Sequence, residues 1–139
     1  MLSDKKLPAN QAFDIADSML AAAAATLVLR RSMKETLSDE EFGALVEKET
    51  ALRYDADRYR AVGITLLAGN GALTAQNLVD AIDNATSAIN KIKDIGRLLN
   101  ILSGLVTLGT TIASGNTQAL LTQVAVLRAT VQASSSPPV

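Results

Sequence analysis

The sequence predicts an all-α protein built as an up-down antiparallel four-helix bundle. Its composition is aliphatic and rich in alanine, with three prolines among 139 residues, which favours helix. Apolar residues recur in alternating steps of three and four, the heptad rhythm of packed helices. Short connections separate the periodic segments and place consecutive helices antiparallel. We therefore predict one domain over residues 1–133 and a disordered tail over residues 134–139.

The first helix is predicted over residues 8–35. Pro8 suits the first turn of a helix, because an amide hydrogen has no intrahelical partner there. Apolar residues then cover so much of the circumference that neighbours are expected on two sides. Arg30, Arg31 and Lys34 lie near the predicted end of this helix, and we interpret them as cations that complement its dipole rather than as a phosphate-binding patch.

The second helix is predicted over residues 39–69. The segment Ser38–Glu41 has the sequence of a capping box, in which each side chain bonds a backbone amide of the first turn. The segment Ala68–Thr74 is expected to end the helix and to turn the chain. Three charged residues at successive four-residue steps are interpreted as a solvated ladder on this helix: Glu49, Arg53 and Asp57.

The third helix is predicted over residues 74–114, about 60 Å at 1.5 Å per residue. Its apolar positions keep a strict heptad alternation throughout. Beyond Arg97, large aliphatic residues occupy nearly every face, so we expect residues 98–113 to be covered by protein or by lipid. The glycines in this half are candidate bends or points of close packing: Gly96, Gly104 and Gly109.

The fourth helix is predicted over residues 117–133, after a turn at Gly115 and Asn116. It is amphipathic, with glutamine and threonine in place of most charges. Because it is shorter than the other three helices, one edge of the bundle is expected to need cover from another chain or from a bent third helix. This difference in length favours oligomerisation.

Arg97 and Arg128 bracket 30 residues that carry no charge. Burial inside the bundle, contact with other chains and insertion into lipid are three explanations for such a run. We predict that its apolar residues form an interaction or membrane surface, namely Leu98, Ile101, Leu102, Leu105, Val106, Leu108, Ile112, Leu120, Leu121 and Val124.

The composition removes several chemistries. The chain has no histidine and no cysteine, which excludes disulfides, thiol nucleophiles and histidine-based triads. A net charge of −1, two Phe and two Tyr give no basis for binding nucleic acid. The pairs Asp14/Asp17 and Asp80/Asp83 lie in first turns of predicted helices, where acids complement the dipole. We predict no metal site, no cofactor and no enzymatic activity.

The sequence shows no convincing secretory signal and no ready membrane span. Pro8, Asp14 and Asp17 interrupt the place where the apolar part of a signal should lie. The most apolar window, residues 98–113, is shorter than the roughly 20 residues that cross a bilayer. We expect cytoplasmic synthesis without a signal peptide and leave export by a non-classical route open.

Two functions fit these observations. The first is a non-catalytic helical bundle that acts through helix–helix association, either as a self-assembling subunit or as a partner-binding module. The second is a membrane-active protein that inserts an apolar hairpin, residues 98–127. In outline such a hairpin, held against a helical bundle, is similar to α-helical pore-forming toxins. The resemblance is architectural and transfers no site residue. The expected partners are another helical chain or a second copy, with a lipid membrane as the alternative.

Overall fold

The computed structural model describes residues 4–6, 8–67, 74–92, 94–114 and 117–135. These residues form five helices, α1 (Ala9–Ser32), α2 (Asp39–Val62), α3 (Ala75–Lys91), α4 (Ile95–Ser114) and α5 (Thr117–Ser135). Two three-residue strands, β1 (Asp4–Lys6) and β2 (Thr65–Leu67), pair antiparallel. The all-α class is therefore confirmed. The prediction of four helices in a simple up-down order is wrong.

Helices α1 and α2 form an antiparallel hairpin. Two ion pairs fix their direction, because Arg30 bonds Glu49 near one end and Asp17 bonds Arg60 near the other. The predicted capping box at the start of α2 is confirmed. The Ser38 hydroxyl accepts from the Glu41 amide at 3.1 Å, and the Glu41 carboxylate accepts from the Ser38 amide at 2.9 Å.

Helix α2 ends earlier than predicted. It stops at Val62, and Gly63 follows with a φ of 79°, a backbone conformation that residues with a Cβ rarely adopt. Strand β2 occupies the place where the helix was expected to continue, and it pairs with β1 beside the start of α1. Of the segment Ala68–Thr74, which was predicted to end the helix, residues 68–73 lie outside the described residues.

The predicted third helix is two helices. Ile92 is extended, with φ −82° and ψ 141°, and it ends α3. The Asp94 carboxylate accepts from the Gly96 amide at 2.9 Å, and the Leu98 amide donates to the Asp94 carbonyl at 3.0 Å. Asp94 thus caps the first turn of a new helix, α4. The heptad alternation continues across the break because α3 and α4 both turn their apolar sides to the same core.

The five helices close a ring around one hydrophobic core. Helix α1 packs on α2 and α3, α2 also packs on α4, and α5 packs on both α4 and α3. The sequence predicted that another chain or a bent third helix would cover one edge of the bundle. The bend between α3 and α4 supplies this cover, and α5 packs on both helices to close the edge. Large side chains from α1 to α4 fill the centre, among them Ile15, Met19, Leu45, Tyr59, Ile82 and Leu102.

The ends of α5 test two smaller predictions. The helix begins at Thr117 as predicted and runs to Ser135, two residues beyond the predicted end at 133. Residues 134 and 135 are therefore helical rather than part of a disordered tail, and residues 136–139 lie outside the described residues. The predicted turn at Gly115 and Asn116 lies outside them as well.

Candidate functional site

The residues predicted as an interaction or membrane surface face the core of the folded chain. Eight of the ten are buried, with exposures from 0% to 4%: Leu98, Ile101, Leu102, Leu105, Leu108, Ile112, Leu120 and Val124. Val106 and Leu121 are half-buried and pack against the same core. We call α4 and α5 together the α4–α5 hairpin. The eight buried side chains can contact lipid or another chain only after this hairpin separates from the other helices.

The outer face of the α4–α5 hairpin carries no charged side chain between Arg97 and Arg128. The expectation that residues 98–113 are apolar on every face is wrong, because α4 exposes Asn100, Ser103, Thr107 and Thr110. In α5 the exposed positions before Arg128 are Gln118, Thr122, Ala125 and Val126. Exposed helix positions usually carry charges, because charged side chains stay hydrated there at little cost. This face lacks them over 30 consecutive residues.

Six hydroxyl groups of the hairpin already have acceptors. In α4 the side chains of Thr107, Thr110, Thr111 and Ser114 donate to backbone carbonyls three or four residues earlier, at 2.7–3.1 Å. In α5, Thr122 and Thr130 do the same at 3.2 and 2.9 Å. A hydroxyl that is bonded within its own helix loses little when water is removed. These hydroxyl groups can therefore be covered by apolar material at low cost.

A groove of about 590 Å³ runs along this face between the two helices. Arg97 is the one charged residue of its lining, which also includes Ser103 and Thr107 of α4 and Gln123 and Val126 of α5. The two helices approach closely at Gly104, where a Cβ atom would lie 3.1 Å from Leu127 Cδ1. The prediction of close packing at Gly104 is confirmed.

The α4–α5 hairpin meets α2 at a junction of three residues, Asp55, Tyr59 and Gly109, which we call the α2–α4 junction. The Tyr59 hydroxyl donates to the Gly109 carbonyl oxygen at 2.7 Å. A Cβ atom on Gly109 would overlap Asp55 Oδ2 and lie 3.0 Å from its Cγ and 3.2 Å from the Tyr59 hydroxyl. Gly109 is therefore a point of close packing, as predicted, and the missing side chain lets α4 approach α2.

Asp55 is an unusual group at this position. Its side chain is 6% exposed, and Oδ2 has no hydrogen-bond partner among the described residues. Burial raises the pKa of the Asp55 carboxyl from 3.8 to about 6, against the opposing attraction of Arg58. Burial and the nearby Asp55 charge also raise the pKa of Tyr59, which keeps its hydroxyl neutral and able to donate. Sequence reasoning missed Asp55, since its neighbour Gly109 is 54 positions away.

The charged ladder of α2 is only partly solvated. Arg53 and Asp57 are exposed as expected, but Glu49 is buried, with 7% exposure. Its carboxylate accepts from Arg30 of α1 at 2.8 Å and from Arg53 at 3.2 Å. Arg30 also stacks over the Phe42 ring at 5.5 Å. Arg30 therefore ties α1 to α2, a role beyond the dipole complement that was predicted.

The predicted acid pairs are surface groups in the structure. Asp14 and Asp17 are exposed, and Asp17 pairs with Arg60. Asp80 is exposed and accepts from Gln76 at 2.8 Å. Among the residues that the structure describes, no group of three or more acidic, histidine or cysteine side chains could hold a metal ion.

Two helices are long and apolar enough to cross a membrane by length and composition, namely α1 and α4. Core helices of soluble proteins and signal sequences share these properties, and α1 lies near the N-terminus.

Comparison with known proteins found no match to this chain among family models, curated proteins or solved structures.

Proposed function

We propose that this protein is a non-catalytic helical bundle that acts through helix–helix association, and that the outer face of the α4–α5 hairpin is the surface that associates. The observation that carries the proposal is the absence of charge from this face over the 30 residues between Arg97, which lines the groove, and Arg128. The proposal assigns no catalytic residue, cofactor, metal or nucleic acid.

The physical argument concerns the cost of removing water. A charged side chain that is covered by a partner must be desolvated, and that penalty is large unless the charge is paired. The exposed side chains of α4 are amides and hydroxyls instead, and most of the hydroxyls are already bonded within the helix. The groove beside Gly104 offers a helix from a second copy a place between α4 and α5, with Arg97 as the one charged residue of the lining.

Oxidative footprinting of the unmodified protein tests this surface. Val126 is 46% exposed on the groove, and Val28 is 65% exposed on α1, outside the hairpin. As the protein concentration is raised, hydroxyl-radical oxidation of Val126 is expected to fall several-fold, measured by mass spectrometry of peptides. Oxidation of Val28 is expected to stay constant. Equal oxidation of Val126 at every concentration would contradict association through this face.

A second function, insertion of the hairpin of residues 98–127 into a membrane in the manner of α-helical pore-forming toxins, is supported by a separate observation. Helix α4 combines the length of a membrane span with hydroxyls that need no outside acceptor. Insertion would require the hairpin to open, because its apolar side chains lie in the core.

The same footprinting experiment separates the two functions when anionic vesicles are added. Insertion predicts that Val126 is protected at low protein concentration when vesicles are present, and that trapped dye is released. Protection that depends on protein concentration alone, without dye release, favours association between proteins and counts against insertion.

A further inference from the structure

The α2–α4 junction contains a carboxyl group in surroundings that suit its neutral form. Asp55 is buried against the backbone of Gly109, and its Oδ2 has no hydrogen-bond partner among the described residues. The Tyr59 hydroxyl donates its proton to the Gly109 carbonyl and not to Asp55 Oδ2. An ionised carboxylate here would carry its charge against an apolar helix, whereas a protonated carboxyl would not.

We propose that the α2–α4 junction is a pH-sensitive hinge, which holds the α4–α5 hairpin firmly when Asp55 is protonated and loosely when Asp55 is ionised. The hairpin is therefore expected to separate from α2 more readily at neutral pH than at mildly acidic pH. The biological use of this opening rests on the proposed function of the hairpin, but the opening itself does not.

The groups around Asp55 do not offset its charge fully. On α2, Arg58 attracts the carboxylate, while Glu47, Tyr54 and Tyr59 supply no positive charge. Helix α4 presents no ionisable side chain after Arg97. The charged residues of α1 that reach α2 are engaged elsewhere, because Arg30 bonds Glu49 and Asp17 bonds Arg60.

The direction of the effect follows from proton binding. The folded junction holds the Asp55 proton up to a pKa of about 6, whereas the exposed carboxyl releases it near 3.8. A group that binds its proton more tightly in the closed form stabilises that form in acid. The stabilisation is complete below about pH 4 and is lost as the pH rises through 6. Acid therefore closes this junction.

Hydrogen exchange of the α4 amides, measured by mass spectrometry, tests the proposal. Wild type and Asp55→Asn are compared at the same pH, so that intrinsic exchange rates and the titration of other carboxylates cancel. If opening fully exposes Asp55, the ratio of the two opening constants is expected to rise roughly tenfold from pH 5 to pH 7. The amides of α3, which packs on α1 and α5, are expected to change less.

Two results would overturn the proposal. One is a ratio that does not change with pH, and the other is an equal change at every amide, which would mean that the hairpin does not open separately. Should Asp55→Asn fold poorly, carbon-13 NMR titration of the wild-type carboxyl decides instead, and a pKa below about 4.5 overturns the hinge. A protein that stays monomeric contradicts the proposed self-association and leaves this inference intact.

Discussion

Replacing Asp55 with asparagine is expected to stabilise the protein by about 2–3 kcal/mol at pH 7. The reason is that burial destabilises the ionised form of Asp55, and this raises its pKa from 3.8 to about 6 in the folded chain. A difference of two pH units between the pKa values corresponds to about 3 kcal/mol. The amide keeps the shape of the carboxyl and carries no charge, so this penalty disappears. The direction is opposite to that of most substitutions of buried residues.

The pH dependence separates this explanation from a simple packing effect. The gain is expected to shrink to less than about 1 kcal/mol at pH 4, where Asp55 of the wild type is protonated in the folded chain. Urea denaturation at pH 4, 5, 6 and 7 measures both proteins. If the new amide has a free-energy cost that does not depend on pH, it displaces the variant's whole curve of unfolding free energy against pH without changing the slope of that curve. Parallel curves for the two proteins would show that burial does not perturb Asp55.

Replacing Gly109 with alanine is expected to destabilise the protein by up to about 2 kcal/mol, whereas the same change at Gly43 is expected to stabilise it by about 0.5–1 kcal/mol. Alanine favours helix over glycine by about 1 kcal/mol at either site. At Gly109 the new methyl group overlaps Asp55 Oδ2 and crowds the Tyr59 hydroxyl. Such overpacking costs about 1–3 kcal/mol. At Gly43 a Cβ would meet nothing within 4 Å.

Thermal or urea denaturation at pH 7 gives both values. The pair is a matched control because each change adds one methyl group to a helical glycine. Equal stabilisation by the two variants would mean that α4 does not approach α2 closely at Gly109. A loss at Gly109 together with a gain at Gly43 supports the geometry of the α2–α4 junction.

Much of the fold could be predicted from the sequence where the signal is local. The capping box at Ser38 fixes the start of α2, and Pro8 and Thr117 locate the starts of α1 and α5 within one residue, whereas α1 ends three residues before its predicted end. The break between α3 and α4 escaped prediction because the apolar rhythm continues through it. The available signal for this break was Asp94, because aspartate is a preferred N-cap for the helix that follows it.

The candidate site was predictable in one respect and hidden in another. The uncharged run is visible in the sequence, and the structure adds that its amides and hydroxyls share the outer side. Which face lies outward depends on how α4 packs against α2 and α5, and this is a tertiary property. The burial of Glu49 and Asp55 depends on partners in α1 and α4, so the spacing of charges within α2 could not reveal it.

The proposed association is tested most directly by molar mass, measured by light scattering during size-exclusion chromatography over a range of loading concentrations. The wild type is expected to exceed its monomer mass of 14.5 kDa as concentration rises. Thr107→Arg places a second positive charge in the groove, beside that of Arg97, and is expected to restore the monomer. Asn90→Arg adds the same charge at an exposed position of α3 and is expected to behave as wild type. A wild type that elutes at 14.5 kDa at every concentration, or equal masses for the two variants, would contradict association through the α4–α5 hairpin.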